Sequence, residues 1–335
     1  MRASVAIFVP HAGCPHKCSF CDQHTISGSK APPTPAEVRL LLARAKETLG
    51  EKASQAEVAF FGGSFTSIDP GLRNRLLEAA APFVGGSGFA GIRISTRPDA
   101  IDGEILRELK AFRVTAIEIG AQSMDDNILA LAGRGHTAED VVCASGLIRK
   151  AGFSLGLQMM TGLPGDDGLS SLETARKLAA LRPDTMRVYP ALVIAGTRLE
   201  TLYRTGEYIP PPLEDTVGLC SKLLLYFHSR GISVIRLGLH QTETLSARLV
   251  AGPHHPALRE LAEGKILLDA AIAGIRGQNL APCPIELLVR REDISKMAGQ
   301  DRRNLKELEA LGYPARIRAS EAVGVYEVIV SPVCS

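Results

Sequence analysis

Short apolar runs alternate along the chain with segments of helical periodicity, and this alternation limits the folds that it can adopt. The order strand, helix, strand is typical of βα units, which build a parallel sheet with helices packed against it. The predicted strands lie near residues 4–9, 57–61, 91–95, 114–119, 153–159 and 185–189. We therefore expect an α/β fold around a parallel sheet.

The segments between these strands carry helix start signals. Thr34, Pro35 and Glu37 combine an N-cap, a proline at the first helical position and the acid of a capping box, and residues 137–140 open another helix in a similar way. A proline run at 210–212 precedes a further helix predicted near 213–229. Apolar spacing after the first signal predicts one buried helix face, formed by Val38, Leu41, Leu42, Ala45 and Leu49.

Polar or glycine-rich segments follow the predicted strands directly. They are Gly62-Gly63-Ser64, Ser95-Thr96-Arg97-Pro98, Gly120-Ala121-Gln122-Ser123 and Met160-Thr161-Gly162-Leu163-Pro164. Parallel α/β barrels gather their active sites at the carboxyl ends of their strands. The sequence thus predicts a functional site at that edge of the sheet.

Three cysteines follow the first predicted strand: Cys14, Cys18 and Cys21, with the spacing C-x3-C-x2-C. Thiolates are the protein ligands of [4Fe–4S] clusters, and a cluster held by three of them leaves one iron open for an outside ligand. A structural zinc site usually has four ligands, so zinc would need a fourth residue. His11, His16 or His24 are the candidates for that position.

The other cysteines do not form a second group. Cys143, Cys220, Cys283 and Cys334 are far apart, and the chain has an odd total of seven cysteines. This pattern is poorly suited to a disulfide framework. We expect each of the four to be a small buried residue with a free thiol.

Length and composition indicate one large domain, or one with a small appendage. The 335 residues are 45% hydrophobic and 22% charged, with a formal net charge of +2. This charge neither demands nor excludes a nucleic-acid partner. The N-terminus lacks a signal-peptide pattern, and no apolar run approaches the length of a membrane span. We therefore expect a cytoplasmic protein without a membrane partner.

The cysteine spacing after the first strand and Gly62-Gly63-Ser64 after the second together resemble the radical S-adenosylmethionine (SAM) superfamily. The resemblance implies a partial (β/α)6 barrel, similar to a TIM barrel, in which Cys14, Cys18 and Cys21 hold a [4Fe–4S] cluster. Phe20 matches the usual aromatic residue of the family between the second and third cysteines. Gly62, Gly63 and Ser64 match the segment that meets the amino group of SAM through its backbone, where glycine permits close approach. The reduced cluster would cleave SAM to a 5′-deoxyadenosyl radical, which abstracts hydrogen from the substrate.

Further segments resemble the radical half of the catalytic subunit of Elongator, the complex that modifies the wobble uridine of tRNA. They extend through roughly residues 1–265 and comprise residues 95–99, 117–123, 134–137, 159–164, 182–184 and 189–197. The chain departs from Elongator in the short spacing of its first two cysteines. It also ends before an acetyltransferase domain would fit, so we do not expect the acetyl-CoA-dependent reaction. The oxygen-independent coproporphyrinogen oxidase family shares the cysteine, Gly-Gly and Gly-Leu-Pro motifs over a shorter length.

This resemblance implies individual site residues. Four polar residues align with positions at which the relatives contact SAM: Ser95, Gln122, Arg134 and Gln158. A buried amide without partners costs about 1–3 kcal/mol, so a ligand or core partners would each explain the two glutamines. For Arg134 the alternative is an ordinary ion pair, and for His136 it is a helix cap. Candidates for substrate contacts are Arg187, Tyr189 and His240, although structural roles explain these three better.

The chain from residue 253 to 335 is predicted to be a small α+β module that follows a barrel domain of residues 1–252. It contains a helix near 256–273, a strand near 284–289 and a β-branched run that ends at Val330. Its basic residues would suit phosphate contacts, and a solvated helix face explains them almost as well: Arg290, Arg291, Lys296, Arg302, Arg303, Lys306, Arg316 and Arg318. The module would either bind substrate RNA or cover strand edges of the barrel.

The resemblance favours a radical SAM enzyme that abstracts hydrogen from RNA, either tRNA or rRNA. A flavodoxin or ferredoxin would supply the electron. Among enzymes, the alternative is a small-molecule substrate such as a porphyrin. Outside enzymes, the alternative is a cluster-binding redox sensor, which would need neither the Gly-Gly segment nor the polar strand ends.

Overall fold

The computed structural model of the chain describes residues 4–10, 13–14, 18–28 and 31–333. Its strands are, in order, β1 (Ser4–Val9), β2 (Glu57–Gly62), β3 (Ile92–Thr96), β4 (Val114–Gln122), β5 (Ser154–Thr161), β6 (Thr185–Pro190), β7 (Val193–Ile194), β8 (Ser233–Leu237), β9 (Leu249–Ala251), β10 (Ile285–Val289), β11 (Ala315–Ala319) and β12 (Ile329–Pro332). Its α-helices are α1 (Gln23–Ser27), α2 (Pro35–Leu49), α3 (Pro70–Ala80), α4 (Gly103–Ala111), α5 (Asp126–Leu131), α6 (Ala138–Lys150), α7 (Gly168–Ala180), α8 (Arg198–Arg204), α9 (Leu213–His228), α10 (Glu243–Arg248), α11 (Leu258–Gly277), α12 (Ile294–Ala298) and α13 (Arg303–Ala310).

Seven strands form one parallel sheet in the order β1-β2-β3-β4-β5-β6-β8. The sheet curls into a half-barrel, so the predicted α/β partial barrel is confirmed. All six predicted strands are present; five have both ends within two residues of their predicted places, and β4 extends three residues further, to Gln122. The seventh, β8, was not predicted, because its five residues include Ser233 and Arg236 and lack a continuous apolar run.

Alternate residues of each strand face opposite sides of the sheet, and this separates the core from the concave side. In β4, Ile117 and Ile119 are fully buried in the core, and Glu118 between them lines the concave side. In β3, Ile92 and Ile94 likewise alternate with Arg93. The core therefore lies between the sheet and its helices, and polar side chains collect on the concave side.

The predicted helix start signals are confirmed. Thr34 and Glu37 form the capping box of α2 with Pro35 in its first turn, and Thr137 and Asp140 form the capping box of α6. The predicted buried face of α2 is correct for Val38 and Leu42 and wrong for Leu41, which is 42% exposed.

The chain divides into two compact units, residues 1–211 with 232–253 and residues 212–231 with 254–335. Helix α9, which the predicted boundary at 252 assigned to the first domain, therefore belongs to the second unit. There it packs on α11. A helix that returns to a later part of the chain cannot be assigned from a linear boundary.

The second unit contains a three-stranded sheet in the order β11-β10-β12, parallel on one side of β10 and antiparallel on the other. Its core joins residues of α11 and β10 with Met297, Leu308 and Val330. The described residues contain no helix that is long and apolar enough to span a membrane.

Candidate active site

A cavity of about 1380 Å³ lies on the concave side of the seven-stranded sheet, within the first unit. Ligand sites typically measure about 300–1,000 Å³, so the cavity exceeds the space that one small ligand needs. Its lining includes nine of the predicted site residues: Cys14, Phe20, Cys21, Gly62, Gly63, Ser95, Gln122, Arg134 and Gln158. Cys18 and Ser64 are buried and do not line it.

The loops after β1 and β2 pack backbone against backbone at one end of this cavity. Gly13 has φ +72°, and a Cβ at this position would lie 2.4 Å from the Ser64 carbonyl oxygen. Gly62 has φ +114°, and its Cβ would lie 2.6 Å from the carbonyl oxygen of Val9. Only glycine fits either position. Gly13 was not predicted as a site residue, although its place beside the first cysteine was an available signal.

Two buried guanidinium groups lie beside the cysteines. Arg134 donates from Nη1 to the Cys18 sulfur at 3.2 Å and from Nη2 to the Gly120 carbonyl oxygen at 2.7 Å. Arg97 pairs with Asp99 at 2.8 Å. Arg134 takes part in no ion pair with another described residue, so its predicted structural alternative is wrong. The site around the thiols is electropositive, which favours the thiolate form that binds metals.

Burial and mutual repulsion oppose ionisation of the thiols when no cation is bound. Burial and the neighbouring Cys18 raise the pKa of Cys14, against the opposing effect of Arg134 and Arg97. Burial, followed by Cys18 and Cys14, raises the pKa of Cys21 to about 12. Such thiols ionise when a metal displaces their protons. Three soft donors at the end of a cavity, next to two cations, fit an iron–sulfur cluster with one open position.

The zinc alternative required a fourth ligand. His11 and His16 lie outside the described residues, as does the side chain of His24. In the described part of the chain, no three His, Cys, Asp or Glu side chains are placed to hold one metal ion. In a cubane cluster each thiolate binds its own iron, so the sulfur atoms need not meet at one point.

The hydroxyl of Ser64 is engaged in the protein interior. It forms hydrogen bonds with the hydroxyls of Thr96 at 2.8 Å and Ser67 at 3.1 Å, and it accepts the backbone N–H of Arg97 at 3.3 Å. Its backbone N–H donates to the Cys14 sulfur. Ser64 thus ties the loop after β2 to the cysteine loop and to the end of β3.

Gln122 and Gln158 contact each other at the cavity wall. Gln158 donates from Nε2 to Oε1 of Gln122 at 3.2 Å. Gln122 has φ +67° and lies where the β4–β5 register shifts, so a bulge redirects its side chain into the cavity. The hydrogen bond between the two amides supports the core interpretation. The Gln122 amide N–H has no described acceptor and so could still bind a ligand, which supports the ligand interpretation.

A charged layer in the middle of the cavity was not predicted. Glu57 pairs with Arg93 at 2.9 Å, and Glu118 pairs with Arg187 at 2.7 Å. Ser95 donates to Glu118 at 3.3 Å. The available signal was the presence of single charged residues in otherwise apolar strands, at the positions that alternate with the core. Tyr189 and His240, candidates for substrate contacts, also line the cavity.

The buried Glu57–Arg93 pair gives a prediction about stability. Because Arg93→Ala breaks a buried ion pair by removing its cation, we expect the free energy of unfolding to fall by about 3–5 kcal/mol. Arg204→Ala removes an exposed pair with Glu200 and should cost no more than about 1 kcal/mol. Denaturant unfolding of both variants measures the difference, and equal losses would contradict the interpretation.

The structure differs from the predictions for His136 and for some of the other cysteines. His136 does not cap a helix: its ring donates from Nε2 to the Ala121 carbonyl oxygen at 3.2 Å, and burial lowers its pKa to about 4. Cys143 is exposed on α6, against the expectation of burial, whereas Cys220 is buried and Cys283 is half-buried. Cys334 lies outside the described residues.

The basic residues of the second unit are less available than expected. Four of them form ion pairs with Asp293, Glu263, Glu214 or Glu286, namely Arg290, Lys296, Arg303 and Arg316. In residues 284–335, eight acidic residues balance the eight basic ones. A phosphate-binding surface therefore has weak support here.

Comparison with protein families places these features in context. A model of the radical SAM superfamily matches residues 8–178, about half of the chain. A model of the radical SAM C-terminal domain matches residues 183–267.

Curated relatives cover the same region. The tRNA uridine(34) acetyltransferase of Dehalococcoides mccartyi is 29% identical over 252 residues, which are 65% of this chain and 55% of the relative. The enzyme of that name from Methanocaldococcus jannaschii is 26% identical over 65% of this chain and 48% of its own length. Human Elongator complex protein 3 is 28% identical over 52% of this chain and 36% of its own. The chain thus spans about half the length of the first two relatives.

Solved structures share the fold. The Elp3 protein of Methanocaldococcus infernus superimposes with a TM-score of 0.63 at 21% identity, over 83% of this chain and 63% of that chain. Coproporphyrinogen III oxidase of Escherichia coli gives a TM-score of 0.50 at 18% identity, over 69% and 53%. At these identities the likeness concerns the fold alone.

Proposed function

The chain belongs to the radical SAM superfamily, whose enzymes use a [4Fe–4S] cluster and SAM, and from this membership we propose that it modifies tRNA. The observation that carries the proposal is the similarity over 65% of the chain to proteins named tRNA uridine(34) acetyltransferase. A uridine of tRNA is therefore the first substrate to examine. The likeness to coproporphyrinogen III oxidase is limited to the fold, so no porphyrin substrate is proposed.

The cavity has the parts that this chemistry needs. Cys14, Cys18 and Cys21 would hold the cluster, beside the guanidinium groups of Arg97 and Arg134, which favour thiolate ligands. When bound, the cluster and SAM supply a 5′-deoxyadenosyl radical that abstracts hydrogen from the substrate. The parallel strands carry these ligand residues at their carboxyl ends, as α/β enzymes commonly do.

We assign the SAM contacts to residues at the same end of the cavity. Gly62 and Gly63 let the backbone approach the methionine moiety closely. The polar side chains that face the space beyond them, from strands β3 to β5, would orient SAM by hydrogen bonds: Ser95, Gln122, Arg134 and Gln158. Phe20 would cover one side of the iron–sulfur cluster. Its ring packs against buried apolar residues that include Met160.

The proposal also covers the role of the second unit, the source of the electron and the location of the protein in the cell. Of the eight basic residues, four are exposed and have no described acidic partner, and they leave the second unit a minor role in tRNA binding: Arg291, Arg302, Lys306 and Arg318. A flavodoxin or ferredoxin as electron donor stays a prediction, as does the cytoplasmic location.

A comparison of RNA nucleosides tests the substrate class. We expect cells that lack the protein to lose one modified nucleoside from purified tRNA, because the proposed reaction forms it. Wild-type protein should restore it, and the Cys18→Ala variant should not. Mass spectrometry of digested tRNA, with rRNA analysed separately, measures this outcome. If tRNA keeps all of its modified nucleosides, whether or not rRNA loses one, the assignment to tRNA is overturned.

A further inference from the structure

Glu118, Arg187 and Tyr189 form a chain of hydrogen bonds inside the cavity. Arg187 donates from Nε to Oε2 of Glu118 at 2.7 Å and from Nη1 to the phenol oxygen of Tyr189 at 3.2 Å. A guanidinium group has only donors. The phenol oxygen must therefore accept from Arg187, and the phenol proton must point away from it.

Two further contacts hold the guanidinium group of Arg187 in place. Glu118 is 2% exposed and also accepts the hydroxyl of Ser95 at 3.3 Å. The guanidinium carbon of Arg187 lies 4.7 Å from the ring centre of Phe61, so stacking restrains it on a second side. Ser95 and Arg187 thus both donate to the buried Glu118 carboxylate, and Arg187 also donates to the phenol oxygen of Tyr189 at the cavity.

The end of this chain is a neutral donor. The charge of Arg187 is already matched by Glu118, so the group that it orients carries no excess positive charge. Burial raises the pKa of Tyr189, and its phenol stays protonated at neutral pH. A neutral donor next to a matched ion pair suits a neutral acceptor such as a carbonyl oxygen.

The ring of Tyr189 shares apolar neighbours with Phe20, which lies in the cysteine segment. Tyr189 and Phe20 pack against the same cluster of apolar residues, which includes Met160 and Leu163. Phe20 is two residues from Cys18 and adjacent to Cys21. A group bound by Tyr189 would thus sit close to the position where the radical forms.

We propose that Tyr189 binds the substrate by donating its phenol O–H to a carbonyl oxygen of the pyrimidine ring, with Arg187 and Glu118 as positioning residues. The identity of the ring rests on the proposed function. Uracil offers two carbonyl oxygens, whereas cytosine offers one, and a fixed donor selects a ring that places an acceptor at that point.

The test uses full-length protein with its cluster reconstituted, SAM, and tRNA purified from cells that lack the protein. The measured quantity is the ratio of 5′-deoxyadenosine formed with tRNA to that formed without it, together with the KM for tRNA. For Tyr189→Phe, we expect this stimulation to fall about tenfold to a hundredfold, because the substrate carbonyl loses its donor. Tyr203→Phe, an exposed tyrosine on α8, is the matched control and should behave as wild type.

Two variants of Arg187 test the positioning role. Lysine still has only donors, so Arg187→Lys should keep part of the stimulation. Glutamine carries an oxygen that accepts the phenol proton, so Arg187→Gln should lose the stimulation and raise the KM for tRNA. Equal losses in both variants, at equal cluster content, would reduce Arg187 to a structural residue and overturn its positioning role.

The outcomes separate the two proposals. If tRNA stimulates the wild type and the Tyr189→Phe variant equally, the assignment of Tyr189 is wrong while the proposed function stands. If tRNA does not stimulate the wild type at all, the proposed function is wrong, and the pyrimidine assignment is overturned with it.

Discussion

Replacing any one of Cys14, Cys18 and Cys21 by alanine should reduce bound iron from about four per chain to nearly none. Each thiolate would hold a different iron, and a cluster with two protein ligands would expose a further iron to solvent. The neighbouring Arg97 and Arg134 carry positive charge but have no free lone pair with which to bind iron, so they cannot replace a lost thiolate. SAM cleavage should disappear together with the iron, since the open iron binds the cofactor.

Anaerobic reconstitution followed by iron analysis and absorbance spectroscopy measures this result. Cys143→Ala and Cys220→Ala are matched controls, one exposed and one buried, and both should keep the full iron content. Stoichiometric zinc without iron in the wild type would show that the ligand assignment is wrong. Loss of iron in either control would show that the ligand set is incomplete.

Changing Gly63 to valine should weaken SAM binding about tenfold to a hundredfold and leave the iron content unchanged. Gly63 lines the cavity, and its N–H donates to the Val9 carbonyl oxygen at 2.9 Å, which holds its backbone in place. The added side chain would occupy space that SAM needs, because the backbone cannot retreat. The cysteines are unaffected, since Gly63 donates no ligand to the iron.

Equilibrium dialysis of SAM under anaerobic conditions measures the affinity. Gly146→Val is the matched control, because a Cβ at Gly146 on α6 meets no atom within 4 Å. It should bind SAM as wild type does. Gly62→Ala should behave differently from Gly63→Val. Because Gly62 has φ +114° and contacts Val9, the added methyl group would strain the loop itself. The Gly62 variant should therefore lose iron–sulfur cluster as well as SAM affinity. Unchanged SAM affinity in the Gly63 variant would place the cofactor elsewhere.

Local patterns carried the parts of the fold that were predicted correctly. The six strands were apolar runs of ordinary length, and the capping boxes of α2 and α6 satisfy backbone N–H groups within one turn. Strand β8 escaped because Arg236 faces the cavity, and a strand with one polar side gives no apolar run. Helix α9 was found but assigned to the wrong unit, because it packs on α11, and 29 residues separate the end of α9 from the start of α11.

The candidate site divides in the same way. The cysteine spacing and the Gly62-Gly63 segment are short-range patterns, so the sequence by itself determined the family and was enough to predict where its cofactors bind. The charged layer of Glu57, Arg93, Glu118 and Arg187 depends on which strands become neighbours and on how far their register shifts. A buried charge is stable only beside its partner, and that partner lies 36 or 69 residues away in the chain. Only the tertiary structure therefore decided which polar residues meet in the cavity, and in which direction Tyr189 directs its proton.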